Sequence, residues 1–381
     1  MTGQFALTDD QLAIQEMAQR FTADNITPFA GEWDEKSHFP RDVIQQTGEL
    51  GFGAIYVSEE AGGINLGRLE AALIMEAMAY GCPATSSYIS IHNMAAWMID
   101  CFGSDDLKTR YLPKLVTMEH IASYALTEPG SGSDAAGLKT SAVLDGDHYV
   151  LNGTKQFISG SGFNDIYVVM VRTGEHKSKG ITCLVIEKDT PGLSFGKPEK
   201  KLGWNASPTA QLIFEDCRVP VANRVGAEGE GFRFAMAGLD GGRLNIGACS
   251  LGGAQRCLDE AVKYTKERQQ FGQPIADFQN TQFMLADMAT ELEAARALLY
   301  LAAAKVTDNA PDKTRFSAMA KRLATDSGSN VVNNALQLFG GYGYLKEYPI
   351  ERFWRDLRVH SILEGTNQVM RMIVGRDMLR Q

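Results

Sequence analysis

The sequence predicts an α+β protein with three parts: an N-terminal α-helical domain over residues 1–120, a middle antiparallel β-barrel domain over 121–226, and a C-terminal four-helix bundle over 227–381. Two changes of pattern along the chain predict this order. Apolar residues recur every three to four positions in the first and last parts, whereas the middle part has short apolar runs separated by turn residues. Because no helical segment separates those runs, antiparallel strands are favoured over β–α–β units.

The predicted N-terminal helices follow from caps and apolar spacing. Thr8 and Gln11 form a capping box, and an apolar stripe with helical spacing follows it. Pro40 opens a second helix, since proline is favoured at the first helical position. Further helices are predicted over 69–80 and 93–102, each ended by a glycine, and from Ser104 onward.

The later elements are predicted from β-rich runs and then from long helical periods. Strands are predicted over 165–172, 180–188 and 210–217, and turn dipeptides at 145–146, 152–153 and 191–192 punctuate this region. Helices are predicted over 231–271, 277–308, 313–339 and 366–379. Long helices joined by short loops form an antiparallel bundle.

Charge and hydropathy exclude several classes of protein. Lys plus Arg is 37 and Asp plus Glu is 46, which gives a net charge of −9 and argues against a nucleic-acid-binding protein. The apolar run over 297–304 is far shorter than the ~18–20 residues of a membrane span. The N-terminus carries Asp9 and Asp10 before its first basic residue, Arg20, which is untypical of a signal or transit peptide. We therefore expect a cytoplasmic protein of bacterial type, or the mature form of a mitochondrial matrix protein.

No metal site and no dinucleotide fingerprint is expected. The six cysteines form no C-x-x-C pair and the six histidines do not cluster, so free buried thiols are predicted. The stretch 130–135 matches G-x-G-x-x-A, but no apolar strand precedes it, so a Rossmann site is disfavoured. Its glycines, with the hydroxyls of Thr127, Ser131 and Ser133, instead suit an anion or a flat polar ring.

Two further features each leave two interpretations open from the residues alone. Six glycines in or beside the helix predicted from 231 indicate either close helix packing or room for a ligand, and Arg243 among them is either solvated or functional. Glu364, between apolar residues and Gly365, is either a surface glutamate or a carboxylate in an apolar pocket. In the second case its pKa would be raised, which suits a general base.

Five stretches together resemble the acyl-CoA dehydrogenase family: 124–134 (YALTEPGSGSD), 152–159 (NGTKQFIS), 268–274 (RQQFGQP), 337–343 (QLFGGYG) and 362–367 (ILEGTN). They occur in the family's order and spacing over essentially the whole chain. The resemblance implies an FAD-dependent enzyme that desaturates an acyl-CoA between Cα and Cβ and passes electrons to an electron-transfer flavoprotein. A carboxylate takes the α proton while the β hydrogen leaves as hydride to the flavin.

The resemblance also implies which residue is the base. The family's catalytic carboxylate corresponds to Glu364, and the alternative position that some members use corresponds to Gly242, which cannot act. Donors to the thioester carbonyl stabilise the developing enolate, and the family uses a flavin hydroxyl and the backbone N–H of the base. Residues implied to contact the acyl-CoA are Tyr88, Ser133, Asp240, Arg243 and Gly365.

Positions for FAD follow from the same resemblance. The flavin ring is expected against two segments of the β domain, at Leu126, Thr127, Ser133, Phe157, Ile158 and Ser159. The pyrophosphate and adenosine are expected at Arg268, Phe271, Phe278, Gln279, Gln337, Gly340, Gly341, Thr366 and Gln368, with the first four reaching the cofactor of a neighbouring subunit. A site shared in this way implies a homotetramer built as a dimer of dimers.

Within the family, the stretches 88–94, 96–100 and 203–205 resemble the subgroup that acts on isobutyryl-CoA, a short, branched acyl-CoA. Tyr88 is expected at the floor of a short acyl pocket. Leu363 is smaller than the tyrosine common in straight-chain relatives and leaves space for a methyl branch. The alternatives are an oxygen-using acyl-CoA oxidase and a non-enzymatic helical scaffold that binds acyl-CoA.

Overall fold

The computed structural model describes residues 7–380 and confirms the order of helices, strands and helices. Thr8 caps the first helix as predicted, because its side chain accepts from the Gln11 N–H while the Gln11 side chain accepts in return from the Thr8 N–H. The N-terminal helices are α1 (Asp9–Asn25), α2 (Ala30–Lys36), α3 (Arg41–Gln46), α4 (Arg68–Gly81), α5 (Pro83–Phe102) and α6 (Asp105–Val116).

Helix α5 is longer than the predicted segment 93–102, since it starts at Pro83. Its first half carries Ser86, Ser87 and Ser90, which are buried although they are polar. Buried serines blur the apolar period on which the prediction depended. The short helix α2 was missed because seven residues show too few turns for a period.

The middle region forms one eight-stranded sheet whose pairings run β6-β7-β3-β2-β4-β5-β8, with β1 paired to β4. Most neighbours are antiparallel, as predicted, but β1 and β2 each pair with β4 in parallel. The described pairings follow an open path and do not close into the expected barrel. The strands are β1 (Ala122–Ala125), β2 (Ser141–Asp145), β3 (His148–Ser159), β4 (Ile166–Arg172), β5 (Ile181–Glu187), β6 (Leu193–Phe195), β7 (Thr209–Pro220) and β8 (Arg224–Val225).

The turn predicted at Asn152-Gly153 is wrong, because both residues lie inside β3. Gly153 has φ 144° and sits at a register shift between β3 and β7. A glycine inside a strand commonly marks such a bulge, so the same dipeptide signals a bulge here rather than a hairpin.

The C-terminal region is a helical bundle around α7 (Gly231–Glu267). That helix ends before the predicted limit of 271, because a two-stranded ribbon of β9 (Gln269–Gln270) and β10 (Gln273–Pro274) follows it. The other helices are α8 (Gln279–Thr307), α9 (Lys313–Phe339), α10 (Ile350–Arg358), which the sequence did not predict, and α11 (Asn367–Met378). Among residues 7–380, none of the helices combines the length and the apolar character that crossing a membrane requires.

The glycines of α7 mostly serve close helix packing. A Cβ at Gly252 would overlap the carbonyl oxygen of Glu76 in α4, and one at Gly253 would lie 2.7 Å from Leu357 Cδ1 in α10. Both approaches are too short for van der Waals contact, so the backbone of α4 packs directly on Gly252 and the Leu357 side chain of α10 packs on Gly253. The packing interpretation is therefore correct for these two positions.

This packing makes a direct prediction about stability. Gly252→Ala should destabilise the fold by about 1–3 kcal/mol, since the new methyl group has no space against Glu76. Gly375→Ala on α11 is the matched control, because nothing lies within 4 Å of its added Cβ, and it should gain about 0.5–1 kcal/mol. Denaturant unfolding would measure both, and equal stabilities for the two variants would contradict the packing.

Candidate active site

Glu364 lies on a tight loop between a short 3₁₀ turn (Val359–Ser361) and α11. Its backbone is left-handed, with φ 53°, and Gly365 follows with φ 87°. A non-glycine residue in this region is uncommon and is held only where its surroundings impose it. On the far side the Thr366 hydroxyl accepts from the Val369 N–H and starts α11. The loop therefore presents Glu364 between two fixed segments.

Two cationic side chains hold the carbonyl groups of this loop. Arg243 Nε in α7 donates to the Glu364 carbonyl oxygen over 3.4 Å. Lys321 Nζ in α9 donates to the Gly365 carbonyl oxygen and to Asn367 Oδ1, both over 2.9 Å. The backbone around the carboxylate is thus fixed by two helices of the bundle, and both bring positive charge.

The carboxylate of Glu364 is desolvated at one oxygen. The side chain borders solvent in part, but Oε2 itself is buried and has no hydrogen-bond partner among the described residues. It lies against Gly242, where any side chain would overlap it. Burial raises the pKa of Glu364 to about 7, and the charges of Arg243 and Lys321 oppose that rise. A carboxylate with this pKa is half ionised at neutral pH and suits proton abstraction.

Arg243 is not solvated, since it is only 4% exposed. Its Nη1 donates to Asp240 Oδ1 over 2.7 Å, and Asp240 also accepts from the Thr314 hydroxyl over 2.6 Å. The structure therefore brings Asp240, Arg243, Gly365 and Glu364 together. Asp240 and Arg243 form a buried ion pair. These hydrogen bonds lie within the protein and do not test the expected contact of either residue with the acyl-CoA.

On the β side, the two segments expected at the flavin lie next to each other. The Gln156 N–H donates to the Thr127 carbonyl over 2.8 Å, and Lys155 Nζ donates to the Leu126 carbonyl over 3.1 Å. The Ser159 carbonyl accepts from the Ser123 hydroxyl over 2.7 Å. Hydrogen bonds therefore join residues 123–127 to residues 155–159.

This region has the shape of a cradle for a flat ring. Phe157 has φ 58° and is 64% exposed, although its neighbours Gln156 and Ile158 are buried. A register shift between Lys155 and Ile158 turns its ring out of the strand. In the loop that follows Thr127, an added Cβ at Gly130 would meet open space, and Ser133 is exposed. An exposed aromatic ring and an open glycine loop fit a flavin ring, whose faces are apolar and whose edges are polar.

Tyr124 of β1 connects the two halves of the site. Its hydroxyl is buried without a partner among residues 7–380, and the nearby charge of Glu364 contributes to raising its pKa after burial itself. An unpaired hydroxyl and an unpaired carboxylate oxygen thus face the same buried region. Such groups are rare in native structures and mark sites that a ligand completes.

A separate crevice lies on the outer side of the bundle. It has a volume of about 400 Å³ and includes Arg268, Gly340 and Gly341, with Arg268 5.5 Å from the centre of the Tyr342 ring. No hydrogen bond, ion pair or ring contact in the described part of the chain joins this crevice to the flavin cradle. The structure therefore splits the expected FAD residues into two groups.

The remaining expected FAD residues do not line this crevice. Phe271 is 94% exposed on the β9–β10 ribbon and meets Phe278 edge to face at 6.1 Å. Gln279 begins α8, and Gln368 is exposed in the first turn of α11, beside the Thr366 cap. Gln337, near the end of α9, is not among the residues that line the crevice. An aromatic ring left this exposed is typical of a surface that another chain covers.

Tyr88 is buried, and its expected place at the floor of the acyl pocket stays a prediction. Its hydroxyl donates to Asn164 Oδ1, and its ring centre lies 4.7 Å from that of Phe39. These contacts place Tyr88 in the packing between α5 and the β domain. The helix face that carries Ser90 instead meets Asn245 of α7, over 3.0 Å. Tyr88 and Ser90 thus lie on different faces of α5.

Lys321 and Tyr124 were not recognised from the sequence as parts of the site. The signal for Lys321 was its position on α9, where it continues the buried stripe of Ser317, Ala324 and Gly328. A lysine on a buried stripe requires hydrogen-bond acceptors. Tyr124 begins the motif 124–134, but a tyrosine in a strand is ordinary and did not by itself indicate a site residue. Within residues 7–380, no cluster of side chains could hold a metal ion, and the cysteines are free.

Three family models match the chain in order. They are described as the N-terminal, middle and C-terminal domains of acyl-CoA dehydrogenase and match residues 8–119, 123–217 and 229–379. Together they span almost the whole chain. The first two of the five sequence motifs lie within the matched middle domain, and the other three lie within the matched C-terminal domain.

Similar proteins extend over the full length as well. Isobutyryl-CoA dehydrogenase, mitochondrial, from Dictyostelium discoideum is 57% identical over 98% of this chain and 90% of its own. The Bos taurus protein of the same name is 53% identical, with the same coverage. A solved chain described under "Electron transferring flavoprotein of Acidaminococcus fermentans" is 44% identical, covers 100% of both chains and superposes with a TM-score of 0.97.

The desolvated carboxylate predicts a titration that can be observed without substrate. One side-chain carboxyl should titrate near pH 7, since burial of Glu364 raises its pKa to that value while an ordinary glutamate titrates near ~4.3. Carbon NMR on protein with labelled glutamate would resolve it as the signal that Glu364→Gln removes. A midpoint near that of the exposed glutamates would contradict the geometry.

Proposed function

The chain belongs to the acyl-CoA dehydrogenase family, and we propose that it desaturates a short, branched acyl-CoA of the isobutyryl type between Cα and Cβ. The single observation that carries this proposal is the unpaired, buried Oε2 of Glu364 against Gly242. Burying a carboxylate oxygen without a hydrogen-bond donor costs free energy. We infer that the group is kept because it has a chemical task. Its task here is to take the α proton of the thioester.

The proton transfer depends on this chain's own groups. Glu364 must be ionised to accept the proton, and Arg243 and Lys321 favour that state against burial. As Cα loses its proton, negative charge develops on the thioester carbonyl oxygen. Donors aimed at that oxygen lower the barrier, and the backbone N–H of Glu364 is the donor that the family resemblance assigns. That N–H and the carboxylate both belong to Glu364, so the tight left-handed loop positions them together.

FAD is the cofactor of this family and would supply the acceptor for the β hydrogen. Leu126, Thr127, Ser133, Phe157, Ile158 and Ser159 are proposed to hold its ring. The exposed Phe157 ring and the open glycine loop support this placement. Arg268, Phe271, Phe278, Gln279, Gln337, Gly340, Gly341, Thr366 and Gln368 are proposed to hold its pyrophosphate and adenosine.

The split between the cradle and the outer crevice supports a shared cofactor site. If the flavin ring lay in the cradle of one subunit and the adenosine end lay in the crevice of a second copy, FAD would contact both groups of residues. We therefore propose a homotetramer arranged as a dimer of dimers, in which Arg268 and Phe271 serve a neighbouring subunit. The exposed Phe271 ring is consistent with such a contact.

The substrate class, electron acceptor and location rest on the relatives. Two relatives above 50% identity are named isobutyryl-CoA dehydrogenase, and Leu363 beside the base leaves room for a methyl branch. The similar solved chain comes from work on an electron-transferring flavoprotein, which supports such a flavoprotein as acceptor. Because both named relatives are mitochondrial, we place the chain in the mitochondrial matrix or, in a bacterium, in the cytoplasm.

An anaerobic titration with acyl-CoAs tests this function directly. Isobutyryl-CoA and 2-methylbutyryl-CoA should bleach the flavin of the purified protein fastest, and octanoyl-CoA should be slow. Glu364→Gln should keep its flavin but lose bleaching by about 10²–10⁴-fold or more, since it cannot accept a proton. Absence of bound flavin would favour the acyl-CoA-binding scaffold, and rapid reoxidation by oxygen would favour the oxidase. Retained bleaching in Glu364→Gln would overturn the assignment of the base.

Arg268→Ala tests the shared cofactor site. Removal of a guanidinium that suits phosphate should lower flavin occupancy and weaken the tetramer together. Absorbance per subunit and sedimentation velocity measure the two effects. Arg218→Ala is the control, because that arginine pairs with Asp145 on the exposed part of the sheet. Normal flavin content and a normal tetramer in Arg268→Ala would show that Arg268 does not serve FAD.

A further inference from the structure

We propose that Lys321 is a positioning residue for the proton transfer: through its bonds to Gly365 and Asn367 it fixes the loop of Glu364 and supplies the charge that keeps the carboxylate ionised. This inference rests on the proposed function, because it concerns the same base. It goes beyond the family motifs, none of which includes residue 321. Lys321 itself does not touch the reacting atoms.

The burial of Lys321 is the first observation. Its side chain is fully buried, and its ammonium group donates to the Gly365 carbonyl and to Asn367 Oδ1, each over 2.9 Å. These acceptors stand one and three residues after Glu364. Asn367 is fixed in turn, because its amide donates to Thr325 Oγ1 over 2.9 Å and to Asp326 Oδ1 over 2.6 Å. A short buried network thus connects α9 to the base.

The second observation is that Lys321 has no carboxylate in direct contact. In the described part of the chain it forms no ion pair within 4.0 Å, whereas Arg243, the other cation at this loop, pairs with Asp240 over 2.7 Å. A buried ammonium without a counterion is unfavourable. The carboxylate of Glu364 is the first charge that favours the ammonium form, and burial lowers the pKa of Lys321 to about 8. Lys321 and Glu364 therefore compensate each other's charge across the loop.

The other groups near Glu364 do not replace this contribution. Arg243 also opposes the rise in the pKa of Glu364 and is the stronger of the two cations in this respect, but unlike Lys321 it already pairs with Asp240. From α7, α9, β1 and the loop before α4, the titratable groups near Glu364 are Arg243, Asp240, Cys249, Lys321, Asp326, Tyr124 and Tyr56. Of the two cations that act on the pKa of Glu364, Lys321 is the one without an ion-pair partner in the described part of the chain. Arg68 of α4, beside Gly241 and over the Tyr56 ring, also forms no ion pair there, but it does not contribute to the pKa shift of Glu364.

Three substitutions separate the charge of Lys321 from its hydrogen bonds. Lys321→Gln keeps a donor but removes the charge, Lys321→Arg keeps the charge, and Lys321→Met removes both. Lys305→Gln is the matched control, because Lys305 pairs with Asp312 at the far end of α8. All variants should be checked for flavin content and thermal unfolding before they are compared.

The pH dependence of kcat/KM is the first readout, since it reports the ionisation of the free enzyme's base. The native activity should rise with pH through a midpoint near 7. Loss of a nearby positive charge should raise that midpoint by about one unit in Lys321→Gln, so that kcat/KM falls roughly five-fold at pH 7. Well above pH 8 the two enzymes should converge, because Glu364 is then ionised in both. Lys321→Arg should keep the native midpoint.

A Lys321→Gln enzyme with a native midpoint would overturn the proposal, and so would a loss of activity that is equal at every pH. The second readout is the NMR titration of the Glu364 carboxyl, which should move upward in Lys321→Gln and Lys321→Met and stay in place in Lys305→Gln. This readout does not depend on turnover. If Glu364→Gln retained activity, the base assignment would fail, while the carboxyl titration would still decide whether Lys321 acts on Glu364.

Discussion

A carboxylate oxygen without a hydrogen-bond partner is the constraint on which the site depends. Glu364 Oε2 is buried against the backbone of Gly242, so the glycine in α7 and the carboxylate on the loop require each other. Burial favours the protonated form, while the cations of α7 and α9 favour the ionised form. The two effects bring the pKa of the carboxyl to about 7, where a base can both accept and release a proton.

The three parts of the chain meet around this point. Helix α7 packs backbone to backbone on α4 at Gly252, which brings the helical regions together, and it carries Gly242 and Arg243 to the base. Strand β1 brings Tyr124 to the same buried region. The strands also carry the exposed Phe157 ring, where the flavin is proposed to bind. A helical bundle alone would hold the base but could not supply the flat, exposed surface that a flavin ring needs.

The sequence predicted those features that depend on local chemistry. The Thr8 cap, the apolar strands β4 and β5 and the carboxylate at Glu364 each follow from residues close together in the chain. Features set by tertiary contacts were missed or misassigned. The buried hydrogen bond of Tyr88 to Asn164 joins α5 to the β domain and could not be predicted from the sequence. In the sequence, Lys321 cannot be distinguished from a surface lysine. Its hydrogen-bond acceptors lie on the loop of Glu364, which only the packing of α9 brings close to it.

Exchange of the substrate's α hydrogen with solvent tests the central claim most directly. Isobutyryl-CoA would be incubated in D₂O with enzyme whose flavin has been chemically reduced, so that no hydride can leave and only proton transfer is observed by NMR. Native enzyme should incorporate deuterium at Cα, and Glu364→Gln should do so about 10²–10⁴-fold more slowly, the range expected for loss of a general base. Equal exchange rates in the two proteins would contradict the claim that Glu364 takes the α proton.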